Sequence, residues 1–136
     1  MRNVETQKLR IVEITRDILF QKREILFACI FGSFVEREDY RDIDVAVYLG
    51  ELQDVDTLRF ELFLEEELER SLGVPFDVRV INDAPLGFVY NVLTKKILLF
   101  DRDGKLACFE SLVLREYFDF RHLLEEYLRG VKNAPV

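Results

Sequence analysis

The stretch IFGSFVEREDYRDIDVAVYLG, residues 30–50, constrains the fold of this chain more than any other part of it. It contains the end of one short apolar run, a charged loop, and a second apolar run, Asp42 to Leu49, that is rich in β-branched residues. The first run, Ile25 to Phe31, and the second are each followed by a glycine. Short apolar runs bounded by glycine are typical of buried strands. The sequence therefore predicts two strands, paired with each other.

Helical and strand patterns alternate along the rest of the chain. Residues 76–81 alternate apolar and polar side chains, which predicts a strand with one polar face, and Asp77 lies on that face. Helical spacing of apolar residues, together with glycine and proline signals, predicts the remaining elements. They are helices over residues 4–23, 54–72, 85–93 and 105–129, and an edge strand over residues 96–100.

These elements place the chain in the α/β (α+β) class, with a small mixed β-sheet flanked by helices. A chain of 136 residues has the size of one domain. We therefore expect residues 1–136 to form a single domain, with residues 130–136 as a frayed tail.

Three side-chain patterns give specific expectations about burial. Glu65, Glu66 and Glu67 are expected on the solvated face of their helix. Cys29 and Cys108 are expected to be small core residues, because two cysteines so placed fit neither a disulfide scaffold nor a zinc site. On the last helix, one apolar stripe is expected to face the core: Leu106, Phe109, Leu112, Val113, Phe120, Leu123, Leu124 and Leu128.

The charge and hydropathy of the chain exclude several classes of partner. The net charge is −7 at pH 7 and the basic residues are scattered, so we expect no direct binding to nucleic acid. The longest uncharged apolar run, residues 25–34, is far shorter than the roughly 18 residues that a membrane span needs. The first ten residues also lack the apolar segment of a signal peptide. We therefore expect a cytoplasmic protein with no membrane partner.

The pattern Asp-x-Asp occurs three times, so it means little by itself. The pair that begins at Asp54 flanks the start of a predicted helix, where acids cap free N–H groups. The pair that begins at Asp101 lies in a turn and lacks the later oxygen ligands of a calcium loop. Asp42 and Asp44 differ because residues i and i+2 of a strand point to the same face.

Two carboxylates that converge in this way repel each other unless a cation neutralises them, and their oxygens suit Mg²⁺ or Mn²⁺. Asp77, on the polar face of a third strand, is placed to add a third carboxylate. Gly32 and Ser33 end the preceding strand at the same sheet edge, where backbone N–H groups and a hydroxyl can hold phosphate oxygens. This set of groups suits metal-assisted phosphoryl or nucleotidyl transfer. For the aspartate pair alone, a solvated loop end is the alternative.

Gly32-Ser33, the DIDV segment at residues 42–45 and Asp77 resemble the signature of the nucleotidyltransferase superfamily that includes DNA polymerase beta and kanamycin nucleotidyltransferase. The small size and the run FDVRVINDAPLGFVYNVLTKKILLFDRDGK resemble the minimal nucleotidyltransferases. Within these, the chain is most similar to the MntA-like adenylyltransferase antitoxins that are paired with HEPN toxins. The resemblance covers nearly the whole chain.

The resemblance implies a role for each candidate site residue. Asp42 and Asp44 would bind the divalent metals, and Asp77 would complete the metal site and help to activate the attacking hydroxyl. Gly32 and Ser33 would hold the β- and γ-phosphates of ATP, with pyrophosphate as the product. In the antitoxin branch, AMP is transferred to a tyrosine hydroxyl of the HEPN toxin, which is thereby silenced. A homo-oligomer or hetero-oligomer is compatible with these roles.

The loop over residues 34–41 departs from the family pattern, because it is shorter than usual and Arg41 stands where a serine often precedes the first aspartate. Arg37 and Arg41 can reach a phosphate from this loop, although charged loop residues are usually just solvated. Two alternative functions stay open. One is nucleotidyl transfer to a small hydroxylated molecule such as an aminoglycoside. The other is a binding-only antitoxin with a vestigial site.

Overall fold

The computed structural model describes residues 4–51 and 56–132. Within them, helices and strands alternate in nearly the predicted order. The elements are α1 (Val4–Phe20), β1 (Ile25–Phe31), α2 (Ser33–Glu36), β2 (Ile43–Leu49), α3 (Thr57–Leu72), β3 (Phe76–Val80), α4 (Leu86–Thr94), β4 (Lys96–Asp101) and α5 (Lys105–Lys132).

The elements differ from the sequence prediction in several details, and α1, for example, ends at Phe20 and not at residue 23. The helix α2 was not predicted, because a single turn gives no periodic signal. Asp42 lies just before β2 instead of inside it. The helix α5 continues through Gly130 to Lys132, so the predicted tail is helical at its start, and its remaining residues lie outside the described part of the chain.

The strands form one four-stranded sheet in the order β3-β2-β1-β4. The strand β1 is antiparallel to both β2 and β4, whereas β2 and β3 are parallel. This is the mixed sheet that the sequence predicted, and the fold class α/β is confirmed.

Helices pack against both faces of the sheet. On one face, Val45 and Val47 of β2 pack with Leu19 of α1 and with Leu64 and Leu68 of α3. On the opposite face, α4 and α5 pack against the central strands. Their core contacts there are made by Phe27, Cys29, Ala46, Val89, Val92, Leu106 and Val113. Because side chains alternate along a strand, Asp44 shares this second face with Ala46.

The edge strand β3 is covered by glutamates of α3. Three of them, each four residues apart, accept hydrogen bonds from backbone N–H groups of β3. The pairs are Glu69 with Phe76 at 3.0 Å, Glu65 with Val78 at 3.2 Å and Glu61 with Val80 at 2.8 Å. The prediction of a solvated face is therefore wrong for Glu65, and also for Glu67, whose Oε1 lies 2.8 Å from Nζ of Lys22. Only Glu66 of the predicted trio is exposed.

The predicted core stripe of α5 is correct only in the first half of the helix. Leu106 and Val113 are buried and Phe109 packs against them. The other members are exposed: Leu112, Phe120, Leu123, Leu124 and Leu128. For the four members after residue 119 the physical reason is length, since 28 residues of helix extend about 42 Å, and the core contacts of the helix are made by its first half. Leu112 lies in that first half but faces away from the core cluster.

The two cysteines have different environments. Cys29 is buried, as predicted, and burial raises the pKa of its thiol to about 12. Cys108 is exposed on α5, so its prediction as a core residue is wrong. Among the described helices, none is both long and apolar enough to span a membrane.

Candidate active site

Strand pairing places Asp44 and Asp77 side by side. In the parallel register of β2 and β3, Asp44 lies directly opposite Asp77. In the antiparallel register of β1 and β2, Phe31 lies opposite Asp44, so Gly32 and Ser33 follow at the same edge of the sheet. The structure therefore brings the phosphate-binding candidates and two of the acidic candidates to one end of the sheet.

Gly32 allows the backbone to approach the Asp44 carboxylate very closely. A Cβ atom at Gly32 would lie 2.3 Å from Oδ2 of Asp44. The φ angle of Gly32 is 78° and its ψ angle is −151°, a conformation that is essentially restricted to glycine. The chain then enters α2 at Ser33. Glycine is thus required here for two independent reasons.

A polar cleft of about 380 Å³ opens at this edge of the sheet. Its lining residues are Ser33, Arg37, Asp39, Tyr40, Arg41, Asp42 and Asp44. Asp42 and Asp44 therefore face a common space, as predicted for residues two apart, although Asp42 itself precedes the strand. Asp77 lies beside Asp44 but does not line this cleft.

The carboxylate of Asp44 lies in an unfavourable environment for a negative charge. Burial raises its pKa above the ordinary value, and the nearby carboxylates of Asp77 and Asp42 raise it further. The guanidinium of Arg79 opposes this effect. Negative charge is thus concentrated around Asp44 more than the protein itself neutralises, which favours a bound cation.

In this structure Asp77 is paired with Arg79, two residues later on the same face of β3. Nε of Arg79 lies 3.2 Å from Oδ1 of Asp77, and this hydrogen bond raises the pKa of the arginine. Within residues 4–51 and 56–132, no three Asp, Glu, His or Cys side chains form a group that could hold a metal ion. The oxygen donors of Asp42 and Asp44 fit Mg²⁺ or Mn²⁺ in their chemistry. Asp77 is bound through Oδ1 to Arg79 and does not line the cleft that they share.

The other two Asp-x-Asp pairs contain helix caps. Oδ1 of Asp56 accepts a hydrogen bond of 3.1 Å from the N–H of Arg59 in the first turn of α3. Oδ1 of Asp101 accepts one of 3.1 Å from the N–H of Leu106 in α5. Asp54 lies outside the described residues. The capping role predicted for the helix start is confirmed at Asp56. Of the pair at Asp101, only Asp103 lies in the predicted turn, because Asp101 is the last residue of β4.

Sequence reasoning missed Arg79, Asp39 and Tyr40 as neighbours of the site. The position of Arg79 was readable, because a residue two places after Asp77 on a strand shares its face. The positions of Asp39 and Tyr40 depend on the path of an irregular loop, for which no periodic signal exists.

The family model described as polymerase beta, nucleotidyltransferase, matches residues 13–105, which is more than half of the chain. The chain belongs to this nucleotidyltransferase family. The matched region contains the acidic residues, Gly32 and Ser33. No characterised protein sequence matches the chain significantly.

Solved structures share the fold of this nucleotidyltransferase at low sequence identity. One is a tri-AMPylated Shewanella oneidensis HEPN toxin in complex with MNT antitoxin, with 16% identity, a TM-score of 0.67, and coverage of 89% of this chain and 98% of that chain. Another is a toxin-antitoxin with AMP-PNP, with 18% identity, a TM-score of 0.71, and coverage of 88% and 98%. A nucleotidyltransferase structure from Sulfolobus solfataricus has 17% identity, a TM-score of 0.50, and coverage of 76% and 91%.

Proposed function

We propose that this nucleotidyltransferase transfers AMP from ATP to a tyrosine hydroxyl of a HEPN toxin and thereby acts as its antitoxin. The observation that carries the proposal is the cleft in which Ser33, Asp42 and Asp44 meet, with Asp77 beside them. The structural neighbours support the choice of partner, because one of them is a HEPN toxin in complex with an MNT antitoxin and another contains AMP-PNP.

Each residue of the site has a proposed task in the transfer. The acceptor oxygen forms a bond to the α-phosphorus of ATP, the bond to pyrophosphate breaks, and the proton of the hydroxyl passes to Asp77. Asp42 and Asp44 hold Mg²⁺ or Mn²⁺, which when bound offsets the negative charge of the phosphates. The hydroxyl of Ser33 binds a phosphate oxygen, and Gly32 keeps this side of the site free of a side chain.

The surface of α5 supports a protein partner. The apolar stripe that faces the core in the first half of the helix continues into the second half, where nothing in the described chain covers it. At helical spacing it is formed by Phe120, Leu124, Tyr127, Leu128 and Val131, all of them exposed. Monomeric proteins rarely leave a contiguous apolar face of this kind in water. We assign this face to the HEPN toxin.

The test is transfer of label. The protein is incubated with ATP labelled at the α-phosphate, Mg²⁺ and the product of the neighbouring gene, which the proposal predicts to be a HEPN toxin. Label is expected on the toxin with the wild type and not with a variant that carries both Asp42→Asn and Asp44→Asn. Asp17→Asn, an exposed aspartate of α1, is the matched control and should transfer label like the wild type.

Two other results would each contradict the proposal. Pyrophosphate release that needs an aminoglycoside and no protein would assign a small hydroxylated acceptor. Neutralisation of the toxin that survives loss of Asp42, Asp44 and Asp77 would assign a binding-only antitoxin.

A further inference from the structure

Basic residues lie near the cleft that Asp42 and Asp44 line, and most of them already donate hydrogen bonds to other groups of the protein. In the described part of the chain, Lys8 donates through Nζ to two backbone carbonyl oxygens at the start of the loop. Arg37 holds Asp39 through two hydrogen bonds of 3.0 Å each. These two basic residues therefore stabilise the loop and are not available to a ligand without breaking those contacts.

Arg41 is different. It lines the same cleft as Ser33 and Asp42, its side chain is exposed, and it makes no ion pair or hydrogen bond within residues 4–51 and 56–132. It also directly precedes Asp42 in the sequence, so it is fixed to the same piece of backbone. Arg41 thus lines the same cleft as two carboxylates that are expected to carry a divalent cation.

The charge of the proposed substrate gives Arg41 a task. A triphosphate carries more negative charge than one divalent cation neutralises, and guanidinium groups bind phosphate oxygens in a two-pronged geometry. The lining of the cleft combines the acids at the start of β2 with Ser33 and residues of the loop, Arg41 among them. With the α-phosphorus at the acids, the terminal phosphates of the same nucleotide need a positive charge in this cleft, and Arg41 is a lining residue that can supply it.

We propose that Arg41 is a positioning residue that binds the terminal phosphates of the nucleotide. The inference rests on the proposed use of ATP and adds a contact that belongs to the atypical loop of this chain. The contact is assigned to Arg41 and not to Arg37, because Arg37 would first have to give up its two hydrogen bonds to Asp39.

Calorimetric titration with two probes in the presence of Mg²⁺ tests the assignment. The probes are AMP-PNP and inorganic triphosphate, and the variants are Arg41→Gln, Arg41→Lys and Arg37→Gln. Arg41→Gln is expected to weaken both probes by the same factor, roughly tenfold, since a charge-assisted contact is lost. Arg41→Lys should recover part of the loss, because it keeps the charge without the fork. Arg37→Gln should have a smaller effect than Arg41→Gln.

Several outcomes would overturn the assignment. Equal affinities of the wild type and Arg41→Gln would show that Arg41 does not contact the nucleotide. Equal losses of affinity in Arg37→Gln and Arg41→Gln would show that the contact is not specific to Arg41. Either result would leave the proposed function intact. A loss for AMP-PNP alone, with triphosphate bound equally by the wild type and Arg41→Gln, would show that Arg41 does not act through the phosphates. Failure of the wild type to bind AMP-PNP would contradict both this inference and the proposed use of ATP.

Discussion

A Cβ atom on Gly32 would lie 2.3 Å from Oδ2 of Asp44, so the glycine and the carboxylate occupy adjoining space with no room for a methyl group. Gly32→Ala is therefore expected to displace Asp44 and also to strain the backbone, which has a φ of 78° here. The strain alone costs about 1–3 kcal/mol of unfolding free energy. Nucleotidyl transfer and Mg²⁺-dependent binding of AMP-PNP should both be lost.

Gly73→Ala is the matched control for this prediction. Gly73 also has a positive φ, 72°, but no atom lies within 4 Å of its hypothetical Cβ. Its replacement should cost about 1–2 kcal/mol in urea unfolding and leave nucleotide binding unchanged. Equal loss of binding in both variants would mean that general instability, and not the contact with Asp44, is responsible.

The raised pKa of Asp44 predicts that its ionised carboxylate destabilises the folded protein when no metal is bound. Burial and the neighbouring carboxylates raise its pKa above the ordinary 3.8. Between the ordinary pKa and the raised one, the folded state binds more protons than the unfolded state, so stability decreases as pH rises through this window. Above this pH range, the full loss of folding stability caused by the ionised carboxylate is present. Asp44→Asn should therefore be more stable than the wild type at neutral pH in EDTA.

The same reasoning gives the control for Asp44→Asn. At a pH below the ordinary pKa, both proteins carry a neutral group at this position, and the difference in unfolding free energy should shrink. Mg²⁺ should raise the melting temperature of the wild type more than that of the variant. A variant that is less stable than the wild type in EDTA at neutral pH would contradict the electrostatic account.

Arg79 and Asp77 form an ion pair of 3.2 Å, so we expect Arg79 to compete with a divalent metal for Asp77. Arg79→Gln should therefore strengthen Mn²⁺ binding, measured by paramagnetic resonance without nucleotide. The pair is partly exposed, and exposed pairs contribute about 0.2–1 kcal/mol, so a gain of up to about fivefold is expected. Arg70→Gln, which breaks an exposed pair with Glu66 on α3, should leave Mn²⁺ affinity unchanged. Weaker binding in Arg79→Gln would show that the arginine supports the site.

The strands and the positions of the acids could be predicted from the sequence because each depends on a local pattern. The alternation over residues 76–81 identified both β3 and the open face that carries Asp77. The predictions that were wrong concern features that depend on distant parts of the chain. The periodicity of α5 showed which residues are apolar, but not that the core contacts of the helix end before Leu124. The loop contacts of Arg37 and Arg41 follow from an irregular backbone path that no sequence period encodes.

The glutamates of α3 stabilise the edge strand β3. Glu65→Ala would leave the N–H of Val78 without its acceptor, and an unsatisfied buried donor costs about 1–3 kcal/mol. Glu65→Gln keeps a carbonyl oxygen in place and should lose less. Glu66→Ala, at an exposed neighbouring position, serves as the control in urea unfolding and should change stability little. If Glu65→Ala were no more destabilising than Glu66→Ala, the bond to β3 would contribute nothing.

The second half of α5 should carry the contact with the toxin. Leu124 and Leu128 are 43% and 55% exposed, so changing both to Asp removes no core contact, and the unfolding free energy of the isolated protein should change little. The same change places two charges in the proposed apolar interface, where each buried unpaired charge is costly. Co-purification with the toxin and transfer of label to it should both fall sharply, while binding of AMP-PNP persists.

Arg115→Asp is the control for this surface. Helical spacing places Arg115 on the opposite side of α5 from Leu124 and Leu128, and it is exposed. This variant should assemble with the toxin like the wild type. The double variant could instead still co-purify with the toxin and transfer label to it. In that case the toxin binds elsewhere, and the apolar half of α5 is not the surface that positions the toxin so that its acceptor tyrosine reaches Asp77.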